Sequence, residues 1–139
     1  MKVFGKPMRT IWPTQDGEAV EIIDQTKLPF DLEIVCLETV DEAAKAIFDM
    51  LVRGAPLIGA TAAYGMALAM KNDTSDASLD YAYKTLFKSR PTAVNLRWAI
   101  DDLKALLAPL PTDARNKAAW HRVSMNVVVQ LAENTFVIS

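Results

Sequence analysis

The chain is expected to fold as an α+β domain, a small N-terminal antiparallel three-stranded sheet followed by a bundle of four to five helices. The first forty residues hold short apolar runs broken by turn residues, which is how strands read. From Thr39 onward the apolar residues recur at three- and four-residue spacing, which is how amphipathic helices read. Pro56, Pro91, Pro109 and Pro111 then punctuate that second part into helices of ordinary length.

Taken in order, Arg9-Thr10-Ile11-Trp12, the polar turn Gln15-Asp16-Gly17-Glu18 and Ala19-Val20-Glu21-Ile22-Ile23 form a hairpin pattern. After the loop Asp24 to Pro29, Leu32 to Leu37 predicts a third strand. Thr39-Val40-Asp41-Glu42 has the spacing of a capping box, and Val40, Ala44, Ile47, Phe48 and Leu51 fall on one face of the helix it starts. That helix is expected to end at the Arg53-Gly54 turn. A second, rich in small residues, runs from Pro56 to about Lys71. A third carries Leu79, Ala82, Tyr83, Leu86 and Phe87 as its stripe and stops at Ser89-Arg90-Pro91. A fourth starts near Thr92, with Ala93, Leu96, Ile100, Leu103 and Leu107 in step, and ends at the prolines. A fifth runs from Thr112 to about His121, and beyond it Val127-Val128-Val129 and Phe136-Val137-Ile138 read as strand.

At 139 residues the chain has room for one domain with a proper core. A net charge of −2, with the cations spread along the sequence, gives no electrostatic case for nucleic acid or an anionic membrane. The uncharged run from Gly54 to Met70 is too short and too rich in Gly and Ala for a span, so it is expected to be a buried core helix. A single cysteine excludes an internal disulfide and points to a reducing compartment. With no signal-peptide pattern at the N-terminus, the expected location is cytoplasmic.

The most informative stretch is Arg53-Gly54-Ala55-Pro56. Proline fits the first position of a helix, where a missing N–H costs nothing, and the amides of Gly54, Ala55 and the first turn are then left to face an anion. Arg53 adds a planar, permanent charge beside them; the same four residues also suit a plain connection. Gly59, Ala63 and Ala67 recur every four residues and would let another backbone approach on that face. Arg90-Pro91-Thr92 repeats the logic, so two helix mouths are expected to share one phosphate. Arg90 fits equally a second role, capping the last carbonyls of the third helix. Asn95, one turn into the fourth helix, either lines the same cleft or satisfies a neighbouring backbone group.

No catalytic residues emerge. His121 has no carboxylate or serine at a pairing distance in sequence and reads as a surface or packing histidine. Cys36 sits among apolar neighbours and reads as a small buried hydrophobe. There is no metal-ligand spacing, P-loop or dinucleotide fingerprint, and no metal or cofactor is expected.

Four segments in order, Met8 to Trp12, Ile22 to Pro29, Val52 to Gly59 with Ala62-Ala63-Tyr64-Gly65, and Ser89 to Leu96, resemble successive signatures of the methylthioribose-1-phosphate isomerase family over about residues 8–121. That family is related to the regulatory subunits of translation initiation factor 2B. The resemblance implies aldose-ketose interconversion of 5-methylthioribose 1-phosphate in methionine salvage, amino-acid biosynthesis without metal or nucleotide. It implies that Arg53, Gly54, Ala55 and Arg90 hold the substrate. The family's catalytic cysteine and aspartate lie in a second, Rossmann-like domain with no counterpart here, and Cys36 is in the wrong motif to replace that cysteine. The expected organisation is therefore an isomerase-type N-terminal domain over 1–122, with strands at about 8–37 and helices at about 39–122, and a divergent tail over 123–139. Such a chain is expected to bind the sugar phosphate, to be inactive alone, and to form a homo-oligomer. The alternatives are an initiation-factor-like regulatory module and a degenerate product without activity.

Overall fold

A computed structural model describes the backbone of residues 2–3, 6–7, 11–14, 19–27, 30–52 and 54–134, and side chains from position 11 to position 125 within those ranges. Strands β1 (Lys2–Val3) and β2 (Lys6–Pro7) pair as a short antiparallel ribbon that the sequence pattern does not announce. The expected three-stranded antiparallel sheet follows, β3 (Ile11–Pro13), β4 (Val20–Ile23) and β5 (Ile34–Leu37), in the order β3-β4-β5. Five helices follow among the described residues: α1 (Val40–Phe48), α2 (Ala55–Asn72), α3 (Asp76–Ser89), α4 (Val94–Leu107) and α5 (Thr112–Asn134).

The register decides which strand residues reach the core. Val20 lies opposite Leu37 and Ile22 opposite both Ile11 and Val35, so these face the helices. Glu21 lies opposite Trp12 and Cys36 on the other face, where the Trp12 indole donates to the Glu21 carboxylate at 3.1 Å. Cys36 is therefore exposed and not a buried hydrophobe. A period of two sends alternate residues outward whatever their polarity. Leu32 and Glu33 precede the strand, which is shorter than expected.

At the start of α1, Thr39 Oγ1 accepts from the Glu42 amide at 3.2 Å, and Glu42 Oε1 accepts from the amide of Glu38 at 2.9 Å. The return bond of the capping box thus lands one residue earlier than the box prescribes. The helix ends at Phe48, earlier than the expected end at Arg53-Gly54, because the chain closes a Schellman motif: Met50 N–H donates to Ile47 O, and Leu51 N–H to Ala46 O. Met50 takes the left-handed position normally given to glycine, with φ 63°. Phe48 is exposed, contrary to the stripe assigned to it, since Ala43, Ala46 and Ile47 fill the buried face.

Helix α2 is the core. Every residue from Ile58 to Met70 is buried, and α1, α3, α4 and α5 all pack on it. Its glycines let neighbours come close: a Cβ on Gly59 would stand 3.2 Å from the Asn95 carbonyl oxygen of α4, and one on Gly65 would meet Leu86 at 3.0 Å and Ala43 at 3.2 Å. Val127 to Val129, expected as strand, belong to α5. Extending an existing helix fixes one residue per hydrogen bond gained, and valine's weaker helix propensity costs only ~0.5 kcal/mol per residue. Phe136 to Ile138 lie outside the described residues. No helix among the described residues is long and apolar enough to cross a membrane.

Candidate anion site at two parallel helix mouths

Helices α2 and α4 run side by side in the same direction. Near their starts, Gly59 touches Asn95. Near their ends, one buried arginine ties both: Arg115 Nε donates to Leu107 O at 2.9 Å and to Leu110 O at 3.2 Å, Nη2 to Ala108 O at 3.0 Å, and Nη1 to Thr74 O at 2.9 Å, just past α2. Nearly equal numbers of residues separate the two tie points along each helix, so both N-termini open at one end of the bundle.

These two mouths are finished differently from the others. Ser75 Oγ caps α3 as Thr39 caps α1, and the first turns of α1, α3 and α5 carry Asp41 with Glu42, Asp76, and Asp113. The N-caps of α2 and α4 are Gly54 and Ala93, neither with a side-chain cap, and neither first turn contains an acid. The first-turn amides and the positive ends of two helix dipoles therefore open at the same end of the bundle, with no acid in their own first turns. Such an arrangement favours a phosphate or carboxylate. Pro56 occupies the second helical position and not the first, where its missing N–H is still one of the four that have no partner in the helix. Gly54 has φ 90° and ψ 134°, which an L side chain adopts only with strain.

The predicted site residues fall unevenly on this geometry. Gly54 and Ala55 form the mouth of α2. Arg53 lies outside the described residues, so its approach to Arg90 does too. Arg90 ends α3 and is half-buried, and its carbonyl accepts from the Ala93 amide at 3.0 Å, closing the turn into α4. Its guanidinium makes no hydrogen bond or ion pair with a described residue, so it does not cap the carbonyls of α3. Asn95 is exposed at the mouth of α4, with its backbone against Gly59. His121 is on the surface.

Sequence reasoning passed over Arg115, which is 3% exposed and also pairs with the solvent-facing carboxylate of Asp76 at 2.6 Å. The signal was its place near the start of α5, where a cation opposes the helix dipole and must serve another purpose. It read Asp24 to Pro29 as a loop but not as a neighbour of the α2 mouth. Asp24 is buried there, and Gln25 N–H donates to Leu51 O at 2.7 Å, just ahead of the α2 mouth.

Comparison with known proteins agrees with this architecture. Residues 51–135 match the model of the initiation factor 2 subunit family, and the chain belongs to that family. Among individual relatives it is similar to the methylthioribose-1-phosphate isomerase of Paramagnetospirillum magneticum, 57% identical over 124 residues, which is 89% of this chain and 34% of that protein. Two crystal structures share the fold. The 5-methylthioribose 1-phosphate isomerase of Pyrococcus horikoshii has a TM-score of 0.78 at 34% identity, covering 87% of this chain and 36% of that one. Translation initiation factor eIF-2B, subunit delta, from A. fulgidus has a TM-score of 0.77 at 34% identity, covering 86% and 36%. The chain thus spans about a third of the length of the proteins it matches.

Proposed function

We propose that this chain is the substrate-gripping domain of a methylthioribose-1-phosphate isomerase, with residues 1–122 as the domain and 123–139 as a tail. In this reading Gly54 and Ala55 offer backbone amides, and Arg53 and Arg90 offer guanidinium groups, to the phosphate of 5-methylthioribose 1-phosphate in the cytoplasm. The aldose-ketose interconversion of methionine salvage needs groups supplied by the other two-thirds of the family's chain. The observation that carries the proposal is the pair of parallel helix mouths, both without side-chain cap or acid. A regulatory module of the initiation-factor kind has no need of such a pair.

Calorimetric titration tests it. Methylthioribose 1-phosphate is expected to bind while methylthioribose, lacking the phosphate, does not. Arg53→Ala and Arg90→Ala are each expected to weaken binding about tenfold or more, the loss of a charge-assisted contact. Equal affinity with and without the phosphate would refute the anion site.

A further inference from the structure

The mouth of α2 is held from a distance. Leu51 is fixed at both backbone atoms by different elements: its N–H donates to Ala46 O of α1 at 2.9 Å, and its carbonyl accepts from Gln25 N–H at 2.7 Å. Val52, wholly buried, follows, and Gly54 is the N-cap of α2. The Gln25 amide is aimed by a small, closed loop. Asp24 is 5% exposed, its amide donates to Glu33 O at 2.9 Å, and its Oδ1 accepts both the Thr26 amide at 2.9 Å and the Thr26 hydroxyl at 2.6 Å. A carboxylate that bonds the backbone two residues on is an Asx turn, and it sets the direction in which the intervening amide points. At the start of α2, Ile58 N–H donates to Gly54 O at 3.0 Å.

We infer that Asp24 is a positioning residue of the anion site, acting through Gln25 and Leu51 to fix where the chain enters α2. It touches no ligand itself. The inference rests on the proposed phosphate site for its functional meaning, but its mechanical part stands on the contacts alone. Asn at this position keeps an oxygen that accepts the same two bonds, whereas Ala removes the acceptor. Thr26→Val removes only the hydroxyl donor, at an exposed position, and is the milder probe if Asp24→Ala folds poorly.

Amide exchange by NMR and titration with inorganic phosphate, both on the full 139-residue chain, test the inference. Asp24→Ala is expected to speed exchange at Gln25, Leu51 and Ile58 while α3 keeps its wild-type rates. Phosphate affinity is expected to fall about tenfold, in the range seen when supporting partners of a binding group are removed. Asp24→Asn should restore both, and Thr26→Val should shift both in the same direction by less. Faster exchange at Gln25 with wild-type rates at Leu51 and Ile58 would overturn the inference, as would loss of affinity that Asn fails to rescue. Should the wild-type chain bind no phosphate, the proposed site fails, while the exchange rates still decide whether Asp24 governs the entry to α2.

Discussion

Gly54 and Gly59 sit one turn apart and are required for opposite reasons. Among the described residues Gly54 has no neighbour within 4 Å of a Cβ position, so Gly54→Ala is expected to meet chiefly backbone strain at φ 90°, at a cost of about 1–3 kcal/mol. Gly59 has ordinary helical geometry and no room. Alanine there gains about 1 kcal/mol of helix propensity but sets a methyl 3.2 Å from a backbone carbonyl that moves only with α4. A net loss of about 1 kcal/mol is expected, as for other overpacked sites. Urea denaturation measures both. Met50 gives the reverse case: Met50→Gly relieves a left-handed residue and should raise stability by about 0.5–1 kcal/mol in the same assay. The glycine motif was legible because a four-residue repeat of small side chains has one geometric meaning on a helix. The strain at Met50 was not, since methionine carries no signal for a positive φ. Cys36 was misjudged for a related reason: residue types around it suggested burial, but only the pairing of Glu21 with Cys36 tells which face it occupies.

Among the elements, α1 to α4 were readable because each has a cap or proline and an apolar stripe that a single helix can satisfy. The second half of α5 was not, because consecutive valines favour strand locally and only the preceding helix overrides them. Arg115 is the joint that holds α2, α3, α4 and α5 in register, and Arg115→Ala leaves several carbonyls at the end of α4 without their donor. A loss of about 2–4 kcal/mol is expected from such unsatisfied groups, measurable by thermal unfolding. The link between α3 and α4 is expected to respond to pH. Tyr83 donates to the Asp101 carboxylate at 2.6 Å, and this hydrogen bond, with burial and the nearby charge adding to it, raises the phenol above its ordinary value. A group with a raised folded-state pKa contributes stability below its unfolded pKa, about 10 for tyrosine, and loses it as pH climbs through the folded value. Wild type should therefore lose stability more steeply above pH ~10 than Tyr83→Phe, as followed by urea midpoints across that range. Parallel slopes for the two proteins would argue against it.

For the molecule as a whole, the central proposal is a domain that grips a phosphate and leaves the chemistry to another part of the family's chain. Binding energy spent equally on substrate and transition state does not lower a barrier, so the chain alone is expected to bind methylthioribose 1-phosphate without converting it. Measurable turnover by the pure protein would contradict this. Exposed Val94 and Trp98, one turn apart on α4, with Met125 exposed on α5, offer apolar surface for association. Sedimentation is expected to show a dimer or larger species that shrinks when the chain is cut after Arg122. A monomer, or an assembly indifferent to the cut, would count against that. The two-mouth anion site is tested most directly by an NMR titration of the 139-residue chain with methylthioribose 1-phosphate, following backbone amides. Gly54, Ala55 and Leu57 of α2 and Val94 and Asn95 of α4 are expected to shift together along one binding curve, while the first turns of α1 and α3 stay still. Movement at only one of the two mouths, or at none, would contradict it.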